Sequence, residues 1–211
     1  MKKYSTFTLM IALAFCVSQF AQAQANKQTA KEVAKYSREG FEATEEKDWD
    51  KAVDAFRKAT ELDKKQAPNL VSALQHRGME YTTQQQYPEA IADFSEALKL
   101  KTDDAGIYER RAYVEMKTND YDKALADYSE AVKLKPKEVR YYLLRGYIYE
   151  TKGDIKSSMT DTEQALKLDP SNEEAKSRKA RLEKIQSLNA PPSPPQPAHS
   201  PKTSPAPART P

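Results

Sequence analysis

The chain has 211 residues, of which 31% are charged and only five are glycine, a composition typical of a solvated, helix-rich protein. Its formal net charge of +3 argues against a nucleic-acid-binding protein, which needs a clustered excess of basic residues. Cys16 is the only cysteine, so the chain cannot build a disulfide framework or a site made of several thiolates.

The first 23 residues have the pattern of a secretory signal peptide. Two lysines, Lys2 and Lys3, precede an apolar run over 7–20, and Ala21-Gln22-Ala23 follows as a cleavage site. The sequence therefore predicts an exported protein, periplasmic or otherwise extracytoplasmic and bacterial, with a short lead-in over 24–32. Two alternatives stay open: a membrane anchor retained through 7–20, although a bilayer needs about 20 apolar residues, and a lipid on Cys16.

Four related segments follow one another after the lead-in. One small residue recurs at the same position of each segment: Ala52, Ala90, Ala124 and Ser158. The spacings between these residues are 38, 34 and 34. Counting 34 places per repeat from Val33, Val71, Ala105 and Val139 predicts repeats over 33–66, 71–104, 105–138 and 139–172. Repeats of this length are supersecondary units that bury their apolar faces on one another.

Each repeat reads as two helices, which we call helix A and helix B. Helix B carries small or apolar residues at a spacing of three and four, which predicts one buried stripe; in the third repeat these are Ala124, Tyr128, Ala131 and Leu134. Asp48, Asp120 and Asp154 precede helix B as candidate N-caps, and Pro88 lies at a helix start.

These patterns resemble the tetratricopeptide repeat, and the resemblance covers about 33–170. The matching positions are Leu74, Gly78, Tyr81, Ala90, Phe94 and Ala97 in the second repeat, Tyr108, Ala112, Ala124, Tyr128, Ala131 and Pro136 in the third, and Tyr142, Gly146, Tyr149 and Ala165 in the fourth. The departures are Ala43 and Glu115 for an aromatic residue, Lys64 and Thr102 for proline, and Ser158 and Thr162 in the last repeat. The resemblance implies an all-α, right-handed α-solenoid whose A helices line a concave surface that receives a peptide or a helix of a partner.

Two segments follow the repeats. Residues 171–188 open with Ser171-x-x-Glu174, a capping-box pattern, and continue with a thin apolar stripe, which predicts a solvated helix that caps the array. Residues 189–211 contain nine prolines and no acidic residue, which predicts a disordered or polyproline tail that acts as a spacer or docks in an aromatic groove.

The ninth place of each A helix holds a large apolar residue, on the side opposite the places that we expect to form the core. We call this set the place-9 ladder: Phe41, Met79, Tyr113 and Tyr147. Place 5, one turn earlier, holds Gln75, Glu109 and Leu143 in the last three repeats. Both sets are candidate groove residues for a partner; the alternative is that they pack against neighbouring A helices. By resemblance, places 5 and 9 lack the Lys, Asn and Arg that bind a C-terminal carboxylate in some members of the family.

Arginines at place 7 have a structural explanation. Arg77, Arg111 and Arg145 occur in the three repeats that also carry Asp93, Asp127 and Asp161, whereas the first repeat has neither partner. Because helices A and B run antiparallel, we expect these residues to form ion pairs.

No pattern in the sequence indicates catalysis, a metal or a cofactor. The two histidines, His76 and His199, have no companion at metal-ligand spacing, and no glycine-rich phosphate loop occurs. We therefore predict a non-enzymatic adaptor or scaffold that binds a protein or peptide partner. The other interpretation is a structural component of a bacterial envelope or secretion assembly that makes its contacts through the convex face or the tail.

Overall fold

The computed structural model describes residues 6–189, with side chains described from residue 15, and this part of the chain contains helices and no strand. The helices are α1 (Thr6–Glu45), α2 (Trp49–Leu62), α3 (Ala67–Thr83), α4 (Tyr87–Leu100), α5 (Ala105–Lys117), α6 (Tyr121–Leu134), α7 (Val139–Thr151), α8 (Ile155–Leu168) and α9 (Glu173–Asn189), with a short 3-10 helix over Lys64–Gln66. Apart from Asn189, the predicted tail lies outside the described residues.

Helices pack almost entirely with their neighbours along the chain. The pairs α1–α2, α3–α4, α5–α6 and α7–α8 make the most extensive contacts, and each pair then packs on the next through α2–α3, α4–α5 and α6–α7. The helix α9 packs on α8. This quasi-one-dimensional stacking is that of an α-solenoid, so the predicted all-α fold class is confirmed.

The helix α1 is one uninterrupted element that runs through the predicted signal peptide, the lead-in and the first A helix. Among the described residues, no helix is long and apolar enough to cross a membrane.

The turn between helices A and B repeats one unusual backbone conformation. Place 15 has a positive φ in all four repeats, at Lys47, Gln85, Asn119 and Gly153. Glycine adopts this conformation freely, whereas other residues pay a cost of about 1 kcal/mol. Three of the four repeats therefore tolerate a small strain in order to keep the same tight turn.

The helix starts agree with the predicted caps at two of three positions. Asp48 and Asp154 accept a hydrogen bond from the backbone N–H three residues later, whereas Asp120 makes no such bond and its carboxylate pairs with Lys123. The predicted capping box before α9 is wrong: Asn172 accepts from the N–H of Ala175, while the Ser171 hydroxyl donates to Asp169.

Small residues let helices A and B approach closely. The ring of Phe56 lies so near Gly40 that a Cβ there would be 2.6 Å from a ring carbon, and Phe94 packs similarly against Gly78. Ala52, Ala90 and Ala124 are completely buried, as predicted for helix B. The predicted stripe ends one turn earlier than expected, because Leu134 is 39% exposed.

The A helices are buried on two sides rather than one. Beyond the predicted core places, places 3 and 10 are also buried in the third and fourth repeats, at Ile107, Val114, Tyr141 and Ile148. Each of the A helices α3, α5 and α7 lies between the B helix of its own repeat and that of the preceding repeat. The same A helix therefore supplies core residues to two interfaces, which a single apolar stripe does not predict.

The polar residues of the fourth repeat are satisfied inside it. Ser158 donates to the carbonyl oxygen of Gly146 at 2.8 Å, and Thr162 donates to that of Ser158 at 2.7 Å. The helix α9 closes the open side of this repeat: buried Arg178 donates to the carbonyl oxygen of Leu143, and Arg181 forms a two-point ion pair with Glu150.

The predicted Arg–Asp pairs form within each repeat, and each also reaches the repeat before it. Two guanidinium nitrogens of Arg111 donate to the two carboxylate oxygens of Asp127 at 2.7 Å, and a third donates to Ser95 in α4 at 3.0 Å. Arg145 makes the equivalent bonds to Asp161 and Ser129, and Arg77 to Asp93 and Asp50. We call these three connected pairs the arginine ladder.

Glu115 is a buried carboxyl beside the arginine ladder. Its side chain is 3% exposed, one of its oxygens has no hydrogen-bond partner, and the nearest Arg111 nitrogen is 3.9 Å away. Burial, reinforced by the negative charge of Asp127, raises the pKa of Glu115 to about 7, against the opposing charge of Arg111.

Replacing Glu115 by glutamine should stabilise the protein at high pH only. The pKa in the folded state, about 7, lies above the ordinary 4.5, so ionisation destabilises the folded chain as the pH rises through this window. We expect urea unfolding to give similar free energies of unfolding for E115Q and wild type below the ordinary pKa of 4.5. Above the folded-state pKa of about 7, E115Q should be more stable by on the order of 2 kcal/mol. A difference that is independent of pH would contradict the assignment.

Candidate peptide-binding groove

The place-9 ladder is half-exposed in every repeat. Phe41 is 52% exposed, Met79 and Tyr113 are 47% exposed, and Tyr147 is 48% exposed. Since all four are large apolar side chains at one place of successive A helices, they form a recurring accessible row.

The buried half of the ladder is held by local packing. The ring of Phe41 packs edge-on against Phe56 with centroids 5.1 Å apart, and the Lys117 ammonium lies 5.2 Å from the centroid of the Tyr113 ring. Packing within the array and exposure to a partner are therefore both present: one side of each ladder residue packs on the protein, and the other side is open.

The place-5 candidates lie in three different environments. Gln75 accepts a hydrogen bond from Arg110 at 2.9 Å, and Glu109 forms an ion pair with Arg140 at 2.8 Å. Leu143 is only 9% exposed and packs in a cluster with Tyr142, Ala165 and Ala175. Leu143 therefore lies in the core contact with the cap, and we remove it from the set of candidate groove residues.

A pocket of about 490 Å³ joins part of this row across the A helices of three repeats. Its walls come from α3, α5 and α7, and its floor from the aromatic rings of α4 and α6: Met79, Thr82, Thr83, Phe94, Glu109, Arg110, Tyr113, Tyr128, Arg140 and Leu144. Of the sequence-predicted candidates, Met79, Tyr113 and Glu109 meet here, whereas Phe41, Gln75 and Tyr147 do not line it.

Sequence reasoning missed most of the polar wall. Thr82 and Thr83 lie one turn after the ladder residue of their helix, and Arg110 and Leu144 lie one turn before the ladder residue of theirs. Their helical spacing from place 9 is the signal that would have found them. The floor residues Phe94 and Tyr128 were predicted as core, and they are both fully buried and pocket-lining.

The pocket combines apolar walls with a positive rim. Arg140 shares its charge with Glu109, whereas no carboxylate among the described residues pairs with Arg110. Burial raises the pKa of the Tyr128 phenol, and the neighbouring Glu109 charge raises it further, so this group stays a neutral hydroxyl. Within residues 15–189, no cluster of three or more His, Cys, Asp or Glu side chains could hold a metal ion.

Sequence profiles match the repeats directly. A profile described as tetratricopeptide repeat matches residues 71–104 and 139–172, and one described as TPR repeat matches residues 112–153. The chain is a tetratricopeptide-repeat protein. Proteins built from this repeat act as protein-interaction modules, and the fold and the open groove fit that role.

Solved tetratricopeptide-repeat structures share this fold. A tetratricopeptide repeat protein from Parabacteroides merdae is 20% identical, with a TM-score of 0.59 over 75% of this chain and 61% of its own. The TPR domain of OM64 from Arabidopsis is 29% identical, with a TM-score of 0.50 over 54% of this chain and 94% of its own. The first TPR of Spaghetti (RPAP3), solved with an HSP90 peptide, is 23% identical, with a TM-score of 0.51 over 57% and 94%. No curated protein sequence matches the chain significantly.

Proposed function

We propose that the protein is a non-enzymatic adaptor that binds a peptide or a helix of a partner protein in the groove formed by its A helices. The observation that carries this proposal is the place-9 ladder, because four large apolar residues at one repeat position remain half-exposed. Packing within the array uses only about half of each of these side chains, so the other half is available to a partner. Aromatic side chains and methionine are also the residues that interfaces favour as anchors.

Similar proteins support the proposal in general terms. The first TPR of Spaghetti (RPAP3), which shares this fold, was solved bound to the HSP90 peptide SRMEEVD, so a domain of this fold can hold a peptide. The present chain has Phe41, Met79, Tyr113 and Tyr147 at place 9 and no Lys, Asn or Arg at place 5 of its repeats. We therefore expect its partner to be held mainly by apolar side chains rather than by a terminal carboxylate.

A second apolar row supports the alternative of a structural assembly component. Leu62, Leu100 and Leu134, at the ends of the B helices, are each 39% exposed. They do not line the pocket that contains Met79 and Tyr113, so a partner held there would not occupy that pocket. This row also supplies a matched control, because it has the same chemistry and periodicity as the place-9 ladder.

Replacing Met79, Tyr113 and Tyr147 by serine should abolish capture of a partner from an envelope extract. The variant removes the exposed apolar area of the groove while leaving the buried core in place, so its helicity by circular dichroism should match that of the wild type. The control variant, with Leu62, Leu100 and Leu134 replaced by serine, should retain the partner.

The opposite pattern would contradict groove binding and favour the structural-component interpretation. A third variant, which lacks residues 190–211, tests the tail separately from both apolar rows. Loss of the partner in this variant alone would assign the contact to the proline-rich tail.

We also propose that the protein acts outside the cytoplasm after export. The proposal rests on the signal-peptide pattern of residues 1–23, in which Lys2 and Lys3 precede the apolar run and the cleavage site. N-terminal sequencing of the protein from a fractionated bacterial host should give a chain that begins at Gln24. A chain that retains residues 7–20 in the membrane fraction would instead support the anchor.

A further inference from the structure

The Tyr128 hydroxyl is buried and has no hydrogen-bond partner among the described residues. Tyr128 is fully buried, and its oxygen is one of four buried side-chain atoms without a partner in this part of the chain. An unpaired buried hydroxyl is costly, so proteins rarely keep one without a use.

The fold does not require this hydroxyl. The equivalent residues at place 24 of the first two repeats are Phe56 and Phe94, which fill the same position without an oxygen. In the fourth repeat Thr162 has a hydroxyl, but it donates to the carbonyl oxygen of Ser158. Tyr128 alone of the four presents an unsatisfied polar atom.

The hydroxyl belongs to the groove pocket. Tyr128 forms part of the pocket floor, and the charged and polar groups that act on its hydroxyl include Glu109, Arg140 and Tyr113, which also line the pocket. The apolar walls around it come from Met79 and Leu144. A group that enters the pocket therefore meets apolar contacts at the sides, and an unpaired hydroxyl lies buried in the residue that forms the floor.

The charge at the rim selects against a basic ligand. Arg110 donates to Gln75 and to the carbonyl oxygen of Gly106, and both acceptors are uncharged. Arg140 and Glu109 neutralise each other, so the rim keeps the net positive charge of Arg110. Such a rim complements a ligand with a carboxylate close to its apolar anchor.

We propose that the pocket between α3, α5 and α7 binds a partner segment in which a bulky apolar side chain lies beside an acidic one. The apolar side chain packs between Met79, Tyr113 and Leu144, an oxygen of the segment accepts from the Tyr128 hydroxyl, and the acidic side chain pairs with Arg110. This inference rests on the proposed adaptor function and deepens it, since it names the chemistry of the ligand.

The chain's own tail fits the pocket less well than such a segment. Residues 190–211 contain no acidic residue and carry Lys202 and Arg209, which have the same sign as the rim. A tail bound in the groove is therefore an alternative outcome of the test, as is a second copy of the chain.

The probe is a library of random dodecapeptides displayed on phage and selected on the full-length mature protein. Selected sequences are made as acetylated and amidated peptides, and their affinities are measured by fluorescence anisotropy. We expect enrichment of a large apolar residue within two positions of Asp or Glu. Replacing that acid by its amide should weaken binding about tenfold.

The protein variants isolate the Tyr128 hydroxyl. Tyr128→Phe should weaken the selected peptides about tenfold. It should not lower the unfolding midpoint in urea, because it removes an unpaired group. Arg110→Gln should weaken the acidic peptides by a similar factor and should leave their amide forms unaffected. The control is Tyr121→Phe, which should bind the peptides like the wild type. The Tyr121 hydroxyl donates to Asn119 and does not line the pocket.

Each other result overturns the inference. Equal peptide affinities for wild type and Tyr128→Phe would show that the hydroxyl plays no part in recognition. If replacing Met79, Tyr113 and Tyr147 by serine still abolished binding, the adaptor proposal would stand without this inference. Enrichment of proline-rich basic peptides would assign the pocket to the tail. Concentration-dependent dimerisation by light scattering, lost in Tyr128→Phe, would assign it to a second copy. If no peptide is enriched, the pocket is not a peptide site, and the envelope capture decides the adaptor proposal separately.

Discussion

The arginine ladder is the interaction on which the stacking of the repeats depends. Each arginine makes a two-point bond to the aspartate of its own B helix and a further bond to the B helix before it. A buried ion pair adds little to the free energy of folding, because the cost of removing both charges from water offsets their attraction. Loss of one partner is destabilising, however, because the other charge is then buried and uncompensated. The ladder therefore favours a single relative position of the four successive repeats. The pocket requires that same position, because α3, α5 and α7 must lie side by side to form its walls.

The sequence predicted the parts of the fold that follow from periodicity. A repeat of 34 residues, alanines at one place of helix B, and arginines that occur only with their aspartates were sufficient for the helix pairs and the ion pairs. Sequence-based prediction failed for residues whose burial depends on contacts with more than one neighbouring helix. Ile107 and Val114 are buried because α5 lies between the two B helices α4 and α6, and Leu143 is buried beside the cap.

The candidate site was predicted in outline but not in its polar detail. The place-9 ladder could be read from helical spacing, since a large apolar residue recurs opposite the core. The free hydroxyl of Tyr128 could not, because tyrosine at this place is a normal core residue of the repeat and only three-dimensional neighbours show whether its oxygen is paired. In the same way, Arg110 and Arg140 occupy different repeats and meet only when the solenoid stacks.

Site-specific photo-crosslinking can show whether partners contact the A helices. A photoreactive phenylalanine analogue would replace either Tyr113 on α5 or Ala126 on α6, both of which are exposed and lie in the same repeat. We expect irradiation in cells to crosslink a protein partner from position 113 and not from position 126. Crosslinks from position 126 alone would contradict binding in the groove and would place the interaction on the B helices.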